Sequence, residues 1–152
     1  MGFTFDFFVA PLQCEWCDVI SPADHTTNMQ TYIREWAGME TLTVGDEVDI
    51  SPEQLDRANY WRVRDPRPDE ALWLLECWEC PNCGAPQNWA LIAVRGGVLA
   101  DIHAVTLNRT TFERAHYLTV NVADIAGELA GIMPRDLLDK PAQVIRILKE
   151  RL

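Results

Sequence analysis

The sequence predicts an α+β fold: an antiparallel β core tied by two Cys-x-x-Cys turns, a long acidic insertion between those turns, and C-terminal helices packed on the sheet. Three observations carry this. Four of the five cysteines fall in two pairs, Cys14/Cys17 and Cys80/Cys83. Residues 88–95 and 98–107 are apolar runs that meet at Gly96-Gly97, a dipeptide suited to a two-residue hairpin turn. Beyond residue 120 the apolar spacing becomes helical. With 152 residues, 48% of them apolar and 24% charged, the chain has the composition of an ordinary globular domain and the length to build its own core. It reads as one domain, β-rich over 1–109 and helical over 110–152.

The elements follow in order. Phe3, Phe5 and Phe7 alternate with Thr4, Asp6 and Phe8, the period of a strand. Residues 28–37 place Met29, Ile33 and Trp36 at helical spacing and predict a short helix. Leu42, Val44, Val48 and Ile50 flank Gly45-Asp46, which predicts a hairpin turn. Ser51-Pro52-Glu53-Gln54 supplies an N-cap Ser, an N1 Pro and an N3 Gln for a short helix. Asp65-Pro66-Arg67-Pro68 breaks the chain into a surface loop. Residues 71–79 (ALWLLECWE) predict a mostly buried strand. Pairing across Gly96-Gly97 sets Trp89, Leu91 and Ala93 against Ala104, Ile102 and Ala100 on one apolar face, and leaves Asp101 and His103 on a mixed one. Val122, Ile125, Leu129 and Ile132 form a helical stripe ended by Gly131 and Pro134. Asp139 is a candidate cap for a last helix carrying Val144, Ile145, Leu148 and Leu152, with Lys149 and Arg151 suited to its C-terminal dipole.

Charge is uneven. The net charge is −10, yet the first 80 residues carry sixteen acidic and five basic side chains, net −11, while the remainder is +1. The densest acid lies at Asp46, Glu47, Asp49, Glu53 and Asp56, at Asp65, Asp69 and Glu70, and at Glu76 and Glu79. Direct binding to nucleic acid needs clustered Lys and Arg and is disfavoured. Such a field favours a basic protein partner, and it also describes a well-solvated acidic face. The opening residues have no basic n-region, and no apolar run approaches the roughly 20 residues of a membrane span, so a cytoplasmic chain is expected.

A Cys-x-x-Cys turn points two thiolates at one tetrahedral ion, and two such turns complete its shell. The second pair is the more specific, because Pro81 stiffens the turn and Gly84 supplies a positive φ just after it. This Cys80-Pro-Asn-Cys83-Gly84 run, with the Gly-Gly hairpin behind it, resembles the zinc knuckle of zinc-ribbon and rubredoxin-like proteins. The resemblance covers Cys14–Cys17 and residues 71–107, and implies one structural Zn²⁺ held by Cys14, Cys17, Cys80 and Cys83. The pairs stand 62 residues apart, against the 15–20 common in ribbons. The longer loop costs only ~1 kcal/mol, whereas structural zinc contributes on the order of 10 kcal/mol. Residues 18–79 therefore read as an insertion between the knuckles.

Other uses of the cysteines are weaker. Cys77, Cys80 and Cys83 offer a second register with iron–sulfur spacing, but Cys77 shares a strand face with Trp73 and Leu75 and reads as a small buried hydrophobe. Two zinc sites drawing on His25 and His103 would leave the first without a fourth ligand. A redox dithiol wants a helix after the pair, which neither has. Trp16, Trp78 and Trp89 lie beside the knuckles and are expected to shield the sulfurs.

Four cysteines close the metal shell, so the ion is expected to do no chemistry. No His-x-Glu, Walker loop, Gly-x-Ser-x-Gly or His-Glu-x-x-His is present. Asp101 and His103 form a loose pair, the carboxylates of Asp46, Glu47 and Asp49 a loose cation site, and His116 has nothing to pair with. The expected function is a non-enzymatic, zinc-stabilised, acidic protein-binding module, with an inhibitor or immunity-type protein that neutralises a basic protein as one form. Asp46, Glu47, Asp49, Trp61, Arg62 and Arg64 are the candidate partner-binding residues. The alternatives are a zinc-ribbon subunit of a transcription or RNA-processing complex, using Arg95, Arg109 and Arg114, and an enzyme using the insertion's carboxylates.

Overall fold

The strand β5 (Leu72–Trp78) and the hairpin of β6 (Asn88–Arg95) and β7 (Val98–Val105) organise the molecule, a computed structural model that describes residues 5–34, 38–48, 50 and 52–152. β6 is buried along nearly its whole length because both of its faces are apolar. Ala90, Ile92 and Val94 face one way, with Leu74 and Trp78 of β5 and Leu99 and Ile102 of β7. Trp89 and Leu91 face the other way, with Leu75. The main sheet has five strands in the order β4-β8-β5-β6-β7, with β4 spanning Tyr60–Arg62 and β8 spanning Tyr117–Thr119.

Each face of that sheet carries a cover. On the first lie Phe8, Leu12, Met29, Ile33 and Leu42, contributed by a small sheet and its loops. This sheet has the order β2-β1-β3, where β1 is Asp6–Phe8, β2 Gln30–Thr31 and β3 Thr41–Leu42. Helix α1 (Pro52–Arg57) adds Leu55 to the same core. On the second face lie α2 (Arg109–Arg114), α3 (Val122–Ala130) and α4 (Pro141–Arg151), through Phe112, Val122, Ala126, Val144 and Leu148. The α+β class and the packing of the C-terminal helices on the sheet are as expected.

Several expectations are corrected. Both sheets are mixed, since β1 pairs with β3 and β5 with β8 in parallel. The C-terminal part is not wholly helical. β8 enters the middle of the main sheet, and three residues are too short to show a period in sequence. Residues 28–37 form no helix as far as they are described. Gln30-Thr31 pairs antiparallel with β1, and Trp36 lies outside the described residues, as do Phe3, Asp49 and Ser51. The tie that wins is the buried Asp6 carboxylate, which accepts from Arg34 Nε at 2.6 Å and Nη2 at 2.7 Å, and from the N–H groups of Glu40 and Gly38. Burial alone would raise the pKa of Asp6, but Arg34 and these N–H donors outweigh it and hold it below its ordinary value.

The turn at Gly45-Asp46 does form, closed by Thr43 N–H to Asp46 Oδ2 at 2.8 Å, but its arms part company. β3 joins β1, while Asp46–Val48 run along the edge of β7 through bonds between Leu99 and Gly45, Leu99 and Asp46, and Val48 and Gly97. The β6–β7 hairpin turns at Gly96-Gly97, with φ of 59° and 75° as a type I′ turn requires. A bulge at Ala93/Val94 then leaves Ala100 without a partner and shifts the register by one residue, so Asp101 and His103 share the face of Ala93 and Leu91. Lys140, not Asp139, is the N-cap of α4, with Pro141 at its first position.

Helix α3 ends where Gly131 adopts φ 69° and donates its N–H to Gly127 O. A Cβ on Gly127 would stand 2.5 Å from the Ile132 carbonyl oxygen, a backbone atom. Gly127→Ala gains about 1 kcal/mol of helix propensity but forces a clash of about 1–3 kcal/mol. A net loss of about 1 kcal/mol is expected in urea unfolding, and a gain in stability would show that the turn after α3 yields.

Candidate metal centre

Two loops of different origin bring the cysteines together. The first follows β1 and is closed by Cys14 N–H to Val19 O at 3.0 Å and a bridge between Gln13 and Ile20. The second follows β5 directly and is closed by Cys80 N–H to Ala85 O at 3.0 Å. The loops are built alike. In each, the residue after the second cysteine has a positive φ, 63° at Asp18 and 77° at Gly84. In each, that residue's N–H donates to the carbonyl of the first cysteine, at 2.9 Å. Glycine accepts this backbone freely, and aspartate is among the few other residues that enter it. Asp18 was therefore a legible sign of the first loop that only the glycine of the second made obvious.

The four Sγ atoms lie within 4.8 Å of one another, with Cys14–Cys83 and Cys17–Cys80 each at 3.7 Å. Sulfurs about 2.3 Å from one tetrahedral ion stand ~3.8 Å apart, whereas a disulfide requires about 2.05 Å. The cluster therefore has the spacing of a four-coordinate metal site. Cys14 and Cys80 are buried, Cys17 is half-buried and Cys83 is exposed. Burial works against ionising Cys14, yet the N–H groups of Trp16 and Cys17 and the neighbouring sulfurs lower it to about 6. The N–H of Ala85 favours the Cys83 thiolate, but the partial loss of solvent around its sulfur and the other three sulfurs push it up to about 11. Four thiolates crowded this closely need a cation between them.

Asn88, at the start of β6, joins the loops. Its Oδ1 accepts from Glu15 N–H at 3.3 Å, and its Nδ2 approaches Cys14 Sγ at 3.7 Å and Ala85 O at 3.5 Å. Such contacts orient a ligand sulfur from outside the coordination shell. Asn88 is buried among apolar residues, and a polar residue opening an apolar strand was the one signal for it. Cys77 stays out of the cluster. Its thiol donates to Pro86 O at 3.5 Å, and burial pushes its pKa up to about 12. Among the described residues no other group of three or more Cys, His, Asp or Glu side chains is close enough to share an ion, and neither His25 nor His103 joins the cysteine cluster. Of the three tryptophans expected to shield the sulfurs, Trp78 packs in the same core as Cys14 and Cys80, Trp89 lies on the helix side, and Trp16 is exposed.

The candidate partner-binding residues do not form one surface. Glu47 bridges Val98 outside β7, and Asp46 is occupied in its turn. Trp61, Arg62 and Arg64 lie in or just beyond β4, at the opposite edge of the sheet, five strand spacings or about 24 Å away. Trp61 packs against the helices, Arg62 lies between Asp56 and Asp65 at 3.3 Å from each, and Arg64 donates to Arg114 O at 2.9 Å. Asp49 lies outside the described residues.

Two buried titratable groups escaped the sequence. His116 accepts from Trp73 N–H through Nδ1 at 2.9 Å, so its proton sits on Nε2, which faces Glu70 Oε1 at 3.2 Å but off the line of a good hydrogen bond. Burial and the nearby Arg64 charge lower its pKa. With both nitrogens turned to neighbours it is a structural histidine. His103 instead donates from Nδ1 to Asp101 Oδ2 at 2.6 Å, on a half-exposed face beside the Trp73 ring. Glu76, in β5, is 3% exposed and bonded to Tyr60 Oη, Cys77 N–H and the Thr119 hydroxyl. Burial outweighs these bonds and raises its pKa from 4.5 to about 7.

No family model, no curated protein and no solved structure matches the chain. Among the described residues no helix is long and apolar enough to cross a membrane.

Cys80→Ser opens the shell and is expected to lose its metal and lower Tm by about 10 °C or more, read by elemental analysis and calorimetry; unchanged metal content would remove Cys80 from the ligand set. Glu76 carries a raised pKa in the fold, so its contribution is complete below about pH 4.5 and is lost as the pH rises through about 7. Ionised and buried it costs about 3 kcal/mol by about pH 8. Glu76→Gln is expected to flatten the fall in unfolding free energy over that window, and an unaltered slope would assign it to another group.

Proposed function

We propose that this chain is a zinc-stabilised, non-enzymatic acidic module that binds a basic protein, and that neutralising that protein, as an inhibitor or immunity-type protein does, is its purpose. Zinc is the ion that four thiolates at tetrahedral spacing suit best, and a shell closed by four cysteines leaves no position for substrate or water. The metal then serves to hold the loops rather than to react.

One observation carries the partner reading. Trp16 is 68% exposed, Val19 43% and Ile20 62%, all on the first cysteine loop, with exposed Glu15 and Asp18 between and beside them. A metal-held loop that presents an indole, two aliphatic side chains and two carboxylates is a rigid anchor for a basic surface, since Arg stacks on Trp and pairs with carboxylates. The ribbon-subunit alternative wants a basic face, whereas Arg95, Arg109 and Arg114 are engaged separately, on Asp69 O, on the last carbonyls of α4 and on the Trp73 ring. The enzyme reading draws support from Glu76, a buried carboxyl at the floor of a cleft.

The test is native mass spectrometry with elemental analysis on the chain purified from its own host, beside Trp16→Ala. One zinc per chain is expected, with a basic protein whose affinity falls about tenfold or more in the variant and falls with added salt. Iron, or a partner held equally well by the variant, overturns the proposal.

A further inference from the structure

Glu76 is an acid in the middle of an apolar strand, where an apolar residue would pack without the cost of burying a carboxyl. It lies at the floor of a cleft of about 450 Å³, and a smaller one of about 170 Å³ continues on the Tyr60 side. Tyr60, itself bonded to Thr31 at 3.0 Å, holds the carboxyl from behind. Glu79 and Asp124 stand on the walls of the larger cleft, and among the described residues no Lys, Arg or His lines either one. Among the described residues these carboxyls are met by neutral donors only, Glu79 by the Asn28 amide at 3.3 Å and Glu76 by Tyr60 and the Cys77 N–H.

The rest of the lining is equally selective. Gln30 and Asn121 border both clefts, and Gln87 borders the larger. Asn121 stands at the N-cap of α3 yet makes no capping bond with its side chain, so the helix does not use its amide. Pro86 and Trp89 provide an apolar wall. The three carboxylates are too far apart to share a bare ion, because among the described residues only the four cysteines approach that closely. Separated acids, amide acceptors and an apolar wall around a cavity of small-molecule size suit a cation whose charge and N–H donors are spread over several atoms.

We propose that the cleft between β5, the Asn28–Gln30 segment and the start of α3 binds a guanidinium or ammonium group on an apolar stem, its N–H donors meeting Glu76 at the floor and Glu79 and Asp124 on the walls. The group can belong to an arginine or lysine side chain of a protein or to a free amine. The proposal is independent of the partner reading, for it needs neither Trp16 nor the exposed loop around it.

The experiment follows the side-chain amide signals of Gln30, Gln87 and Asn121 in ¹⁵N-labelled, metal-loaded full-length chain. The probes are L-argininamide, spermidine, the capped peptide acetyl-Gly-Arg-Gly-amide, and Mg²⁺ as a bare ion. Saturable shifts of these amides with an organic cation, and not with Mg²⁺, are expected. Tightest binding by the peptide assigns the ligand to a polypeptide, and tightest binding by argininamide or spermidine assigns it to a free amine. Asp124→Asn and Glu79→Gln, both at exposed positions that leave the core untouched, are expected to weaken binding about tenfold each, while Asp56→Asn and Trp16→Ala leave it unchanged. The proposal is overturned if no probe saturates, if Mg²⁺ gives the same shifts, or if Asp56→Asn weakens binding as much as Asp124→Asn.

Discussion

Four sulfur atoms within 4.8 Å of one another place residue 14 beside residue 83, and much of the molecule is arranged around that closure. The first loop enters from β1 and the second leaves β5, so the cluster ties the small sheet to the end of the central strand of the large one. Asn88 reinforces the tie by reaching from β6 to both loops. The residues between the cysteine pairs are not a separate appendage. They supply β2 and β3 to the small sheet, and β4 and β5 to the large one. The cluster therefore stands where the two sheets stack, and the loop entropy its closure overcomes is modest beside what a structural metal would supply there.

β5 faces two cores at once. Leu74 and Trp78 point to the small sheet and Leu75 to the helices, while Glu76 interrupts the pattern on the first side. An acid tolerated at such a place must be held by donors, and Tyr60, Thr119 and the Cys77 N–H supply them. Tyr60 comes from β4 and Thr119 from β8, so the polar site draws on the same strands that the apolar core joins.

The acid concentrated in the first half serves more local purposes than its total suggests. Asp6 is buried and anchors Arg34, Asp24 caps a 3-10 turn at His25–Thr27, Asp46 closes its own turn, and Asp56 and Asp65 flank Arg62. Glu70 accepts from Arg67 N–H and faces His116. Of the acid not engaged in this way, Glu15 and Asp18 stand on the Trp16 loop and Glu79 on the wall of the Glu76 cleft.

The sequence by itself determined those features whose physics is local. The two cysteine turns, the Gly96-Gly97 hairpin, α1 after Pro52 and the end of α3 at Gly131 all depend on residues within a few positions of one another, so spacing and backbone preference suffice. Only the tertiary structure decided the rest. It chose strand pairing over helix at Gln30-Thr31, inserted β8 between β4 and β5, and slipped the hairpin by one residue at a bulge. It also buried Glu76, and separated Asp46 from Arg62 by the width of a sheet. Each of these depends on which distant segment lies alongside, and a partner tens of residues away leaves no periodic trace in the segment it selects.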